Sequence, residues 1–538
     1  MKNKTWILLF ASTFSLLLSG CEFFKTKEID KAKKAGILLV GIGPDPETLD
    51  PQCATGVTEQ NVLRALFEGL VKPHPETIEP RPGVAKRWSI SEDGLIYTFY
   101  LRKNAHWSNG DPLTAEDFVF SFQRLLTQEI ASPGATSFFT IKNAKAFYHK
   151  NVSFDEVGVK AINSHVLQIT LEKPTPYFLS LLMQTYAYPL HHATLKKCNG
   201  EFTRDPSWTR EQFFVSNGAF RLKQWKTSEC IDVYKNENYW NKNQVKLNGI
   251  KFKPIADVTT EERAFRSHQL HITENVPYTK LKTYHEKTNS PLQVHDYLGT
   301  FYYIFNTKVK PLDDVRVRKA LNLALSRNLL MGGDLFNIKH KSTFQLVPEG
   351  CQNFHCQQPL HEDGLQARQL LAEAGYPNGQ NFPKLTLTFN LSEGQMYLAA
   401  AIQEMWKRVL NINIELVTLE WKVYLKYRRE KNFEIARGGW IGDYNDPTTF
   451  LDLWLHDSPN NYTNWQNAKF DDLLAQAAQE PHAAKRIHLL EEAENILLEE
   501  VPLLPLHASA TSHLVHPSVK NWFANLLDWH PYDCIYLE

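Results

Sequence analysis

An acidic side chain in a glycine- and proline-rich turn can serve as a general acid, a helix cap or a fixed counter-charge for a cation. Residues 438–455, GGWIGDYNDPTTFLDLWL, hold two such side chains three positions apart, Asp443 and Asp446. Asp446 and Thr448 stand where they can cap the helix predicted over TTFLDLWL, which frees Asp443 from turn duty. A glycosidase also uses two carboxylates, but closeness along a turn says nothing about the separation required across a sugar. The sequence has no G-x-S-x-G elbow, no H-E-x-x-H helix and no phosphate loop, so hydrolase and nucleotide chemistry have no motif behind them. In CQNFHCQQPLH, Cys351, His355, Cys356 and His361 are conceivable zinc ligands. Their spacing matches no common structural site, and no metal or other cofactor is expected. Cys351 and Cys356 are also near enough in sequence to be a candidate disulfide pair.

The elements around Asp443 decide among its roles. FEIARGGW predicts a short strand ending at Gly438-Gly439, so Asp443 lies just past a strand end, where open α/β sheets hold ligands. Beyond residue 310 the helical text DVRVRKALNLALSRNLLM, GLQARQLLAEAG and MYLAAAIQEMWKRVL alternates with the strands KLTLTFN and NINIELVTL, which predicts a partly parallel sheet. The N-terminal half reads differently. Ile37 to Gly43 is a continuous apolar run, a buried strand, and TEQNVLRALFEGLV predicts a helix ending near Gly69. LIYTFYLRKNAHW, HVLQITLEKP and AFRLKQWK read as strands and PYFLSLLM as a short helix, while TAEDFVFSFQRLL is a helix with a Thr114/Asp117 capping box. Two bodies follow from this text, one mixed and one α/β.

Composition narrows the partners. Lys+Arg and Asp+Glu are equal at 59 each among 538 residues, so there is no basic field for nucleic acid. Aromatic residues reach 12%, and such rings suit clefts for amphipathic ligands as well as large cores. At the start, Lys2 and Lys4 precede an apolar run from Trp6 to Leu18, shorter than the ~20 residues of a membrane span. Leu18-Ser19-Gly20-Cys21 resembles a bacterial lipobox, in which Cys21 is lipidated and residues 1–20 are removed. Plain cleavage near Gly20 is the alternative. The lysine-rich segment 21–35 would then tether a body at the cell envelope, on the periplasmic or other extracytoplasmic face of a membrane.

VAKRWSISEDGLIYTFYLRKNAHWSNGDPLTAEDFVFSFQRL resembles the signature region of the peptide- and nickel-binding class of bacterial extracellular solute-binding proteins, family 5, the receptors of ABC importers. ETLDP, LFEGLV, SNGAFRL, YYIFNT, DVRVRKALNLALSR and LLAEAGYP follow that family's order along nearly the whole chain. EWKVYLKYR with ARGGWIGDYNDPTTFL is most similar to its oligopeptide-binding members. The resemblance implies an α/β, three-domain periplasmic-binding-protein-like fold (type II, cluster C) whose two lobes close on a central cleft. Domain I would comprise residues 36–67, 192–298 and 511–538, domain II 68–191 and domain III 299–510.

The implied ligand is a short peptide and the implied partners are permease subunits, with the chain a monomer and not an enzyme. Asp443 matches the aspartate that meets the peptide's free amine. Gly439 and Ile441 would offer backbone groups from one lobe and Val57 and Thr58 from the other, since strand-like pairing ignores side chains. Trp421 and Trp440 would wall side-chain pockets and Tyr302 would line the cleft, though each ring could equally belong to the core. Arg437 matches a position that helps with the carboxylate end of short peptides. Arg428 is a second candidate for that work, with a solvated helix face as its alternative. Asn390 and Gln395 complete the set. Gln395 stands where some members have histidine, Gly134 in ASPGAT where some have tyrosine, and Thr55 and Ile304 at positions that can be acidic. These departures make a preference for basic side chains less expected and leave ligand length open. The same fold could instead take a nickel chelate, haem, sugar or murein peptide.

Overall fold

The computed structural model describes residues 27–204, 206–332 and 340–538, and Cys21 lies outside the described residues. The apolar run near the start forms the strand Ile37–Gly41, parallel to Gly249–Lys253, with Cys230–Lys235 and Phe220–Lys226 continuing the sheet antiparallel. Its unbroken apolar text reflects burial on both faces, and Leu38, Leu39 and Val40 are all buried. A second four-stranded sheet, Ala85–Ile90, Ile96–Leu101, Val166–Thr170 and Val159–Asn163, is wholly antiparallel. The helix Ala115–Leu126 packs on it, started by the expected capping box of Thr114 and Asp117.

The third sheet carries the strand that precedes Asp443. Its six strands run in the order Lys341–Ser342, Leu503–Leu514, Leu292–Phe305, Ile435–Ile441, Leu385–Asn390 and Ile414–Leu419. Leu385–Asn390 is parallel to both its neighbours, and the helix Glu393–Leu410 makes the crossover to Ile414–Leu419. Leu292–Phe305 and Leu503–Leu514 are 14 and 12 residues long and pair from Leu292 with Leu514 to Ile304 with Leu503. The boundaries read at 298/299 and 510/511 therefore fall inside two continuous strands.

Two helices differ from their sequence reading. The first spans Val57–Leu66 and stops short of Gly69, because Phe67 is extended and the Glu68 N–H is taken by Asn217 Oδ1 at 3.1 Å. Gly69 instead permits close packing, since a Cβ there would lie 3.1 Å from Leu182 O. The second, DVRVRKALNLALSRNLLM, splits into Val315–Leu323 and Arg327–Met331. The Asp363 N–H takes the Leu323 carbonyl at 3.0 Å, and the buried Arg327 guanidinium donates to Pro505 O and Asn322 Oδ1. Tertiary bonds outweigh helix propensity at that break.

Arg124 ties the N-terminal segment to this frame. It is fully buried and donates to both oxygens of Asp50, at 3.2 and 2.7 Å, and to Gln52 Oε1 at 2.9 Å. Removing one partner of such a pair strands the other charge out of water. Arg124→Ala should therefore cost about 3–5 kcal/mol in a denaturant-unfolding midpoint, and a loss below about 1 kcal/mol would contradict that account.

Candidate functional site

The strand Ile435–Ile441 is paired along one side from Ile435 with Phe305 to Ile441 with Gly299. On the other side its ladder with Leu385–Asn390 reaches only Ala436. Beyond Ala436 that side has no neighbouring strand: the Tyr424 hydroxyl donates to the Arg437 carbonyl, and residues 439–441 present an edge where an extended chain can add by backbone hydrogen bonding. Glycine at 438 is required by packing, because a Cβ would come 2.4 Å from the Tyr302 ring.

Two residues past that strand, the Asp443 N–H donates to Thr449 Oγ1 and the Asp443 carbonyl accepts from Gln184 Nε2, both at 3.0 Å. The Asp443 carboxylate itself has no hydrogen bond or ion pair among the described residues. It opens on a cavity of ≈ 470 Å³ between residues 136–181 on one wall and 440–460 on the other. Cleft water reaches the side chain, but protein surrounds it closely, and this loss of hydration pushes its carboxyl up to about 6. Asp446 has the opposite surroundings. It is fully buried, accepts two bonds of 2.8 Å from Arg486, and takes the Thr448 N–H and hydroxyl at 3.1 and 2.7 Å. As expected from the sequence, Asp446 and Thr448 serve the turn and Asp443 does not.

The other candidates fall into groups. Tyr302, Arg428, Gly439 and Trp440 line one small pocket of ≈ 40 Å³, where the Arg428 guanidinium lies 4.7 Å from the Tyr462 ring centre. Arg437 lies 5.1 Å from the Phe301 ring and 5.8 Å from Trp421, which stacks on Tyr424 and is itself exposed. Burial lowers Arg437 from the usual guanidinium range, with Arg428 adding repulsion. Neither arginine has an acidic partner among the described residues, and each has a buried Nε without a hydrogen bond. Asn390 Oδ1 and Gln395 Oε1 are likewise buried and unbonded. Ile441 is exposed at the strand's end.

Val57 and Thr58 do not offer a strand-like edge. They begin the helix Val57–Leu66, with Val57 exposed and the Thr58 hydroxyl spent on Ile42 O at 2.9 Å. Only first-turn N–H groups remain there for a ligand. Cys351 and Cys356 are free thiols, as are Cys53, Cys198, Cys230 and Cys534, so the candidate disulfide is not formed. The zinc reading of that segment also fails: His361 bonds Gln366, and the potential metal-ligating cluster among the described residues lies elsewhere.

Sequence reasoning missed the opposite wall. Gln184 reaches the Asp443 carbonyl, and Tyr177 stacks on Tyr444 across the cavity at 4.5 Å. At Gly134 the place of a side chain is taken by Tyr186, whose ring would lie 2.3 Å from a Cβ and which feels the Asp443 charge. Asp452 also lines the cavity and is pushed up to about 7, mainly by burial. The text KPTPYFL and QTYAYP carries no periodic signal that marks these residues as cleft-lining.

Residues 79–462 match the middle region of the bacterial extracellular solute-binding proteins, family 5. The chain belongs to that family. It is 35% identical to the periplasmic murein peptide-binding protein MppA of Escherichia coli, over 91% of this chain and 90% of the relative. It is 34% identical to the periplasmic oligopeptide-binding protein OppA of Salmonella typhimurium, over 92% and 90%. The unliganded open form of the MppA murein tripeptide-binding protein superposes with a TM-score of 0.81 at 33% identity, covering 94% of this chain and 98% of that one. The type II fold expected from the sequence is thus observed.

The two aspartates predict opposite stability effects. A carboxyl raised from 3.8 to about 6 binds more protons in the folded state, so its ionisation lowers stability as pH rises through that window. Asp443→Asn should leave thermal stability unchanged near pH 4 and raise it above pH 6, whereas Asp446→Ala should lose about 3–5 kcal/mol at neutral pH. A destabilised Asp443→Asn at pH 7 would contradict this reading of the cleft.

Proposed function

We propose that this chain is the receptor of an ABC peptide importer, held at the membrane through lipid on Cys21, and that it captures short peptides for delivery to permease subunits. The observation that carries the proposal is the Asp443 carboxylate, closely walled by protein, without a cation among the described residues, and open to the cavity. A peptide's ammonium group supplies the missing charge, and a close pair of this kind recovers part of the cost of keeping the carboxylate there. The open edge at 439–441 then takes the peptide backbone, with Gly439 and Ile441 as the residues that present it. Trp440, Tyr302 and Trp421 wall the side-chain space, and Arg437 and Arg428, with Asn390 and Gln395, receive polar or anionic groups farther along.

Binding of a peptide favours closure of the two lobes, because only the closed form touches it from both sides. The binding role itself fits the family, whose relatives named above are binding proteins. No described helix is long and apolar enough to cross a membrane. A second reading, a murein peptide as the ligand, is supported by the relative that binds one and by the two guanidinium groups without acidic partners.

Calorimetry with trialanine and its N-acetylated form tests the amine anchor. The native chain should bind the free-amine peptide with at least about tenfold preference, and Asp443→Ala should lose about 2–5 kcal/mol for that peptide while acetylated peptide stays weak for both. Equal binding of the two peptides by the native chain would refute the role of Asp443. Native mass spectrometry of the purified chain should show bound peptide masses; sugar, haem or metal-chelate masses in their place would refute the peptide class.

A further inference from the structure

Away from the cleft, three metal-ligating side chains converge on one point. His513 lies at the end of the long strand Leu503–Leu514, while Asp528 and His530 come from the C-terminal turns. One donor atom from each lies within 4.8 Å of the others. His513 Nε2 is 3.1 Å from both Asp528 oxygens, and His530 Nε2 is 2.9 Å from Asp528 Oδ1. Both imidazoles therefore aim the same nitrogen at one carboxylate. None of the three lines the Asp443 cavity.

The surroundings hold these donors in place. His513 Nδ1 lies 3.0 Å from Thr273 O, and a bond there fixes the ring so that Nε2 faces the cluster, as outer partners do for metal-bound histidines. The His530 ring stacks on Trp522 at 3.5 Å and 15°. Its Nδ1 is buried and without a partner. Thr511 Oγ1 donates to Asp528 Oδ1 at 3.3 Å, which orients the carboxylate. The side chains of His513, Asp528 and His530 are only 3%, 15% and 6% exposed, so the site is enclosed. A cavity of ≈ 50 Å³, lined in part by His530, Trp529 and Arg64, lies against it and has room for a water molecule.

We propose that His513, Asp528 and His530 form a binding site for a zinc-class divalent cation. Two imidazole nitrogens and one carboxylate oxygen suit zinc and its neighbours rather than calcium or magnesium, which take oxygen donors. Three protein ligands leave a fourth position for water from the adjoining cavity. Hydrogen bonding alone also accounts for the contacts of Asp528; a cation is favoured because both Nε2 atoms and the carboxylate converge on one enclosed point beside a cavity with room for a water molecule. The nearby charges are Glu274, which accepts from Asn61 Nδ2 at 3.2 Å, and Arg64, which lies 4.4 Å from the Trp529 ring centre. One carboxylate offsets the added positive charge and the guanidinium opposes it. The ion would fasten the C-terminal turns to a strand that continues into the six-stranded sheet, and so stabilise the frame of the receptor without touching its ligand.

The test uses the full chain, stripped with chelator and titrated with zinc chloride by calorimetry at neutral pH. It should bind one equivalent at micromolar or tighter affinity, and cobalt(II) in its place should give the strong visible absorption of a four-coordinate site. His530→Phe keeps the ring that stacks on Trp522 and removes the ligand nitrogen, and Asp528→Asn removes the carboxylate charge. Each should weaken zinc binding by about tenfold or more. His482→Gln, at an exposed histidine bonded to Glu480, should leave it unchanged. Absence of an enclosed equivalent in the native chain, a pale six-coordinate cobalt spectrum, or full affinity in folded His530→Phe would each overturn the proposal. The cobalt spectrum of the native chain decides the matter even where a variant fails to fold.

Discussion

A carboxylate crowded by protein walls and left without a cation is less well hydrated than in bulk water, and the cleft of this protein keeps one in that state at Asp443. The reduced hydration pushes its carboxyl up to about 6, and no cation lies beside it among the described residues. Such a group destabilises the empty protein and favours any state that brings it a positive charge. The contrast with Asp446, three residues on and fully paired with Arg486, shows that the fold can satisfy a buried aspartate in this turn. The unsatisfied charge at 443 is therefore a property of that position and not of the turn as a whole.

The sheet explains how the charge is held. Ile435–Ile441 is supported along one side by the long strand Leu292–Phe305 and freed on the other after Ala436. That half-open strand delivers the turn at a fixed height, and the Thr449 hydroxyl and the Gln184 amide clamp the Asp443 backbone from two directions. Gln184 and Tyr177 belong to the opposite wall, so the same contacts that fix Asp443 also join the two sides of the cavity. Placement of Asp443 beside an open strand edge would suit the proposed recognition through groups that every peptide shares.

Much of this was legible in the sequence where local rules act alone. The Thr114/Asp117 capping box, the parallel crossover around Glu393–Leu410 and the division of labour between Asp446 and Asp443 all follow from short-range chemistry. The misreadings occur where distant residues intervene. Asn217 ends a helix before Gly69, and Asp363 and Arg327 break another. Tyr186 filling the space above Gly134 was unreadable because the two residues are brought together only by the fold. The His513, Asp528 and His530 cluster was hidden for a similar reason, since its ligands straddle a strand end and a loop with no recognised spacing.

The central claim is that Asp443 exists to meet an ammonium ion, and proton linkage tests it most directly. An ammonium beside a carboxyl near 6 draws it into the charged form, so binding must expel protons when the pH is at or just below that value. Peptide binding can be measured by calorimetry near pH 5.5 in two buffers of different ionisation enthalpy. The account predicts net proton release by the native chain that is lost in Asp443→Asn; binding with no proton release in the native chain, or the same release in both, would contradict it.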